Sequence, residues 1–296
     1  MWNPIEGIVD AIKELLFKIP EGGAKMALDT MNNLFNLGVE AVKEQVGETP
    51  TGFSQVIVDN LRTISETAIL PIAGLILTYV FCYEVYQMVT DKNKGGDFEI
   101  GQLIFLIIKT AVMITFITNS FTIALAVFDL SKWITDKIPD STLTVPTGVT
   151  DNLISSMSAD KLGEAFFIMM IAFIAVIIVA IMVGIIFLVA WSRIITILLY
   201  ISVAPIPFAT FLNRDWIGSI GQSYVKNLIA LMLQGYFMLV CLVIYSGLLT
   251  KVSDIIAKQD GANGIYMMIL LITSMGILVV TLTKTHSLAK SVVGAM

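Results

Sequence analysis

The chain has 296 residues, a mean hydropathy of +0.86, 56% apolar residues and 14% charged ones. A soluble domain carries about 25% charged residues and about 45–50% apolar ones, so a soluble enzyme, a disordered chain and a fibrous repeat are excluded. The composition fits an all-α polytopic helical membrane protein, and a net charge of -5 argues against a nucleic-acid surface, which needs a basic stripe.

Residues 1–62 read as an amphipathic N-terminal segment. Ile5, Ile8, Val9, Ile12, Leu15, Leu16 and Ile19 recur at helical spacing, with Glu6, Asp10, Lys13 and Glu14 between them. Pro20, Gly22 and Gly23 predict a break there. A second amphipathic stretch follows, with Ala27, Leu28, Met31, Leu34, Phe35 and Val42 on one side, and the next break is expected at 47–52 around Pro50. Neither stretch is long or apolar enough to span a bilayer. Each is expected to lie on the membrane surface, to pack on partner subunits, or to cover its own bundle. No cleaved signal peptide is expected, because the N-terminus lacks a basic region followed by an apolar one.

Five runs meet the criterion of roughly 20 apolar residues for a span. They are 64–89, 102–128, 165–191, 227–250 and 265–283. The first two form a predicted hairpin over 63–128, followed by an external loop over 129–164. The third run has no polar side chain and outlasts the roughly 30 Å hydrocarbon core at 1.5 Å per residue. Its four-residue series Ala172, Val176, Ala180 and Gly184, with Gly235 and Gly276 on later spans, predicts close helix–helix contacts.

Segment 194–212 is long enough to span, but Pro205 and Pro207 interrupt it. Each proline lacks an N–H and clashes with the preceding turn. Irregular backbone at membrane depth is tolerated only where protein or water covers it. The segment is therefore either a re-entrant, broken helix or a sixth span ended by its prolines. Trp216 lies in RDWIGSIGQSYVK, which reads as a short amphipathic helix at the inner face and completes a unit over 165–226. The last two spans and a short tail occupy 227–296.

Lys and Arg density sets orientation. With the N-terminus outside and five spans, the outer segments hold 17 acidic and 10 basic residues over about 113 positions. The inner segments hold four acidic and seven basic residues, Arg193 among them, over about 40 positions. The denser side is cytoplasmic. This puts the C-terminus in the cytoplasm of a multi-pass plasma-membrane protein surrounded by lipid, with Trp133 and Trp191 as anchors at opposite faces.

Glu84 and Lys109 fall within the first hairpin. At 1.5 Å per residue their depths from the inner face are roughly 7.5 and 10 Å. Pairing would relieve part of the cost of a charge in the bilayer; the alternative is that Lys109 snorkels to water alone.

The chemistry of an enzyme is missing. There is no phosphate-binding glycine loop, no HExxH and no nucleophile elbow, and the only histidine is His286. Cys82 and Cys241 both sit in apolar runs, which argues against a disulfide framework or a zinc site. No catalytic residue, cofactor or metal is expected. A stand-alone channel or transporter is the competing class of function.

The order of features carries a resemblance. An acid-rich amphipathic N-segment precedes a hairpin that turns at YEVYQMVTDKNKGG. An acidic loop, a very long apolar helix ending in WSR, a run to APIPFA, an inner helix, two spans and a basic tail follow. Over residues 53–290 this layout resembles the TrbL-like family, the polytopic inner-membrane subunit of type IV secretion and conjugation systems, in its mobile-element branch from single-membrane bacteria. The most specific part runs from Trp191-Ser192-Arg193 to Pro205-Ile206-Pro207. The chain departs from larger members in its modest external loop and short C-terminal tail. The resemblance implies a homo-oligomeric ring at the base of a transfer channel. Such a ring contacts other secretion membrane subunits and transfer ATPases. It helps pass single-stranded DNA with its relaxase, without sequence-specific nucleic-acid recognition.

Overall fold

The structure, a computed structural model, describes residues 4–93, 100–138, 154, 162–213, 217–258 and 264–295. Among these residues the ordered elements are helical. They are α1 (Pro4–Gly47), α2 (Pro50–Phe53), α3 (Gln55–Ile64), a π-helical turn (Ser65–Ile69), α4 (Leu70–Asn93), α5 (Ile100–Thr118) and α6 (Ser120–Thr135). Then come α7 (Leu162–Ser202), α8 (Pro205–Ala209), a 3-10 turn (Thr210–Leu212), α9 (Gly218–Lys258) and α10 (Gly264–Val293). Among the described residues, five helices are long and apolar enough to cross a membrane: Gln55–Thr90, Ile100–Thr118, Leu162–Ser202, Gly218–Val252 and Met268–Val293. The chain is an all-α, polytopic helical protein.

The expected break at Pro20 is absent. Helix α1 runs unbroken for 44 residues with Pro20 inside it. An interior proline costs about 3 kcal/mol and a glycine about 1 kcal/mol, so packing must offset them. Pro20 is buried. At Gly23 an added Cβ would lie 2.5 Å from Met169 Sδ and 3.0 Å from its Cγ. The glycine that resembles a helix stop is a point of close helix approach.

The expected run 102–128 is divided instead. Helix α5 ends at Thr118, Asn119 leaves helical geometry (φ -103°, ψ 7°), and α6 begins at Ser120. Polar side chains accompany the break: Asn119 Nδ2 donates to the Thr115 carbonyl at 2.8 Å and Ser120 Oγ to the Ile117 carbonyl at 2.7 Å. The first apolar helix is longer than its hydropathy suggests, because α3 continues through the π turn into α4. No separate inner helix follows Trp216 either. From Gly218 onward the chain is already α9, and Arg214, Asp215 and Trp216 lie outside the described residues.

The chain forms two compact units. The first contains Met1–Glu44, Ile138–Ala190 and Met238–Lys284. Its α7 portion buries Ala165, Ile168, Ala172, Ala175, Val179, Val183, Ile186 and Ala190. These follow one another at steps of three or four residues, the spacing of a helix seam. Of the predicted four-residue series, Ala172 lies on this seam within the chain, whereas Ala180 and Gly184 are exposed. Steps of four residues drift by roughly 40° each, so three of them leave the seam. Gly38 faces Val183 and Ile186, and Phe35 packs on Tyr245 with ring centroids 5.4 Å apart.

The second unit contains Gln45–Lys137, Trp191–Phe237 and Thr285–Met296. Its core joins Val58, Ala73, Leu77 and Val80 to Leu106, Phe121, Ala124 and Phe128, and to Ile194, Ile197, Ile201, Phe208 and Leu212. Helix α8 packs on α4, α5 and α6. The proline-broken segment therefore sits inside this core.

Candidate functional site at the proline-broken segment

Helix α7 stops at Ser202, whose Oγ turns back to the Leu199 carbonyl at 2.8 Å. Pro205 then occupies the first turn of α8, where a missing N–H is harmless and φ is already set for a helix. Pro205, Pro207, Phe208 and Ala209 are buried. Thr210 Oγ1 donates to the Pro207 carbonyl at 2.7 Å, and the Asn213 N–H donates to the Thr210 carbonyl at 3.3 Å. The irregular backbone is thus covered by protein, as membrane-depth backbone must be. The run 194–212 is a broken helix and not a separate sixth span: its first nine residues complete α7, and the rest forms two short turns.

Two glycines admit this backbone. A Cβ on Gly221 would lie 2.7 Å from the Pro207 carbonyl oxygen and 3.0 Å from Thr210 Oγ1, and one on Gly218 would collide with the Asn213 carbonyl. They are three residues apart at the start of α9 and share a face. Their pairing in GSIG is the sequence signal for this close return. Tyr224, one turn further on, donates its hydroxyl to the Tyr200 carbonyl at 2.8 Å and stacks on the Tyr200 ring at 5.8 Å.

The two charges of the first hairpin meet the same segment. Asn213 Nδ2 donates to Glu84 Oε1 at 2.8 Å, and Lys109 Nζ donates to the Leu212 carbonyl. Glu84 and Lys109 also line one open cavity of about 460 Å³, with Met88, Gly101, Gln102, Phe105 and Leu106. The structure therefore brings Glu84, Lys109, Pro205 and Pro207 into one region, tied through consecutive residues 212 and 213. Asn213, Gly218 and Gly221 join them, and none of these three stands out by charge or hydropathy.

Trp191 and Arg193 are placed elsewhere. Arg193 lies nine residues before Ser202, roughly 14 Å along the helix. Trp191 is partly exposed and meets the Phe53 ring edge-on at 5.8 Å. Arg193 is buried, and its Nε has no hydrogen-bond partner among the described residues. Its guanidinium lies over Gly235, where an added Cβ would fall 2.5 Å from Nη2 and 2.9 Å from Cζ. The glycine of the fourth apolar run thus admits a cation rather than a neighbouring backbone. The described residues hold no group of three His, Cys, Asp or Glu side chains that could bind a metal ion.

A family model described as TrbL/VirB6 plasmid conjugal transfer like protein matches residues 35–205, more than half of the chain. This chain belongs to the TrbL/VirB6 family. No curated protein and no solved structure matches it. The TrbL/VirB6 match covers α1 from residue 35 onward, the helices α2 to α6 and the whole of α7, and it ends at Pro205. Conjugal transfer is thereby attached to a multi-pass helical membrane protein. The stretch 206–213, which holds Glu84 and Lys109 in place, follows directly on the matched TrbL/VirB6 region.

Proposed function

We propose that this TrbL/VirB6 chain is an integral scaffold and conduit subunit of a conjugative type IV secretion system. It assembles as a homo-oligomeric ring at the base of the translocation path, beside other membrane subunits and the transfer ATPases. Single-stranded DNA with its relaxase passes the assembly without being read in sequence, because the acid-rich outer segments repel a phosphate backbone. Its role is non-catalytic. The observation that carries this reading is the family match over 35–205, laid on a chain with five apolar helices. Glu84, Lys109 and the 205–213 turns supply a fixed internal joint for the subunit. Deleting the gene is expected to abolish transfer to recipients while relaxase nicking of the donor DNA continues. Transfer at normal frequency from the deletion strain would sink the proposal. An isolated oligomer that conducts ions without any conjugation partner, in a strain that still transfers, would establish a stand-alone channel instead.

The proposed orientation places 1–62 and 129–164 outside, and 90–101 and the C-terminus inside, as the Lys/Arg asymmetry requires. In a background with Cys82→Ser and Cys241→Ser, Ser141→Cys is expected to react with a membrane-impermeant thiol reagent in intact cells. Ser291→Cys is expected to react only after the cells are opened. The reverse pattern overturns the orientation.

A further inference from the structure

The cavity between α4 and α5 has a charged end and an apolar wall. One face of each helix lines it: Glu84 and Met88, one turn apart on α4, and Gln102, Phe105, Leu106 and Lys109 at helical spacing on α5. Its volume of about 460 Å³ falls in the range of small-molecule sites, roughly 300–1,000 Å³. Glu84 lies six residues before Thr90 and Lys109 nine after Ile100, where the two apolar helices end. At 1.5 Å per residue the cavity starts at a membrane face and reaches roughly 9–14 Å inward. Lipid headgroups and the first part of their chains occupy that depth.

The charged end asks for a zwitterion. Asn213 Nδ2 donates to Glu84 Oε1, and Oε2 accepts no hydrogen bond among the described residues. A carboxylate only accepts, so the group that completes it carries N–H or O–H donors, and a cationic donor binds it most strongly. Lys109, which donates to the Leu212 carbonyl, sets a positive charge in the same cavity. That charge repels a lone cation and attracts an anion. A ligand with an ammonium for Glu84 and an anionic group for Lys109 suits both. The wall beyond is apolar: Phe105 is 58% exposed, and Ile104, Ile108 and Val89 are exposed beside it. On a membrane helix such side chains face acyl chains, which are as apolar as leucine.

We infer that this cavity binds an aminophospholipid of the phosphatidylethanolamine class. Its primary ammonium donates to Glu84 Oε2, its phosphate turns towards Lys109, and its chains run over Phe105, Ile104 and Ile108. Glu84 and Lys109 also hold residues 213 and 212, so the lipid sits on the internal joint. The inference takes only that joint from the reading above, and ring assembly plays no part in it.

Native mass spectrometry of the purified full-length protein tests the site. The detergent would contain equimolar phosphatidylethanolamine, phosphatidylcholine and phosphatidylglycerol with matched chains. One phosphatidylethanolamine is expected to be retained about tenfold over either competitor, the worth of one charge-assisted hydrogen bond, because choline has no N–H and glycerol no charge. Glu84→Gln keeps an acceptor for Asn213 but loses the charge, and is expected to abolish the preference. Gly101→Trp puts bulk into the cavity from a position where an added Cβ meets nothing within 4 Å, and is expected to lower phosphatidylethanolamine retention severalfold. Equal retention of the three lipids by the parent protein would mean unselective lipid at the surface and overturn the site. Preference for phosphatidylglycerol would overturn the assignment of an ammonium to Glu84. A preference unchanged in both variants would place the lipid elsewhere. Displacement by free phosphoethanolamine at the same concentration as the lipid would overturn the lipid in favour of a soluble headgroup compound. None of these outcomes touches the role in transfer, which the deletion strain decides.

Discussion

Replacing Pro205 and Pro207 together by alanine is expected to lower conjugal transfer roughly tenfold or more while the protein still inserts at normal level. The two alanines restore backbone donors that can reach the Ile201 and Val203 carbonyls, and they remove two ring clashes. Helix α7 can then continue past Ser202. A straight continuation carries residues 207–213 out of the niche made by Gly218 and Gly221, where the Pro207 carbonyl now lies 2.7 Å from an added Cβ on Gly221. It also draws Leu212 and Asn213 away from Lys109 and Glu84. Losing one buried hydrogen bond costs about 1–3 kcal/mol, and each 1.4 kcal/mol is about tenfold in population. Gly221→Leu attacks the same backbone from α9 and should reproduce the defect, since overpacking a filled site costs about 1–3 kcal/mol. Mating frequency and membrane immunoblots measure the two quantities. Normal transfer by the double variant at normal protein level would show that the turns at 205–212 only end a helix.

The residues that were legible in the sequence and those that were not differ in the range of the forces involved. The apolar runs are visible because each is a local average over about 20 side chains, and membrane insertion responds to that average. Five of them recur as five long apolar helices. The continuity of α1 through Pro20 depends instead on Met169, far away in sequence, closing on Gly23. Local propensity is overruled there by a tertiary contact. The break at Asn119 has a local cause, side-chain bonds from Asn119 and Ser120 to the preceding carbonyls. Such residues compete with helix backbone wherever they occur, so the Thr118-Asn119-Ser120 run held the signal inside an apolar stretch. The inward face of α7 follows seven-residue spacing rather than the four-residue spacing of its small side chains. Small side chains alone do not make a contact face; the phase of the whole helix does.

That Glu84 and Lys109 lie at similar depth was legible, because depth along two adjoining helices follows from residue count alone. Their attachment to Asn213 and Leu212 was not, since it spans 129 and 103 residues of sequence. That attachment changes what charge exchange should do. Lys109→Glu is expected to lower the membrane level of the protein roughly tenfold: it removes the donor to the Leu212 carbonyl and sets a carboxylate in the cavity that Glu84 already lines. Glu84→Gln should be nearly silent, because an amide oxygen can still accept from Asn213 Nδ2. Glu84→Lys should be damaging, because an ammonium cannot accept at all. If the two side chains mattered only as an ion pair, the Glu84→Lys/Lys109→Glu exchange would restore the protein. The hydrogen bonds to 212 and 213 predict otherwise. In the exchanged variant the Leu212 carbonyl faces an acceptor, and an acceptor cannot replace the lysine donor. Its membrane level should therefore stay within a few-fold of Lys109→Glu alone. Full recovery by the exchange, read by quantitative immunoblot of membranes, would assign the hairpin charges to each other rather than to the turn they hold.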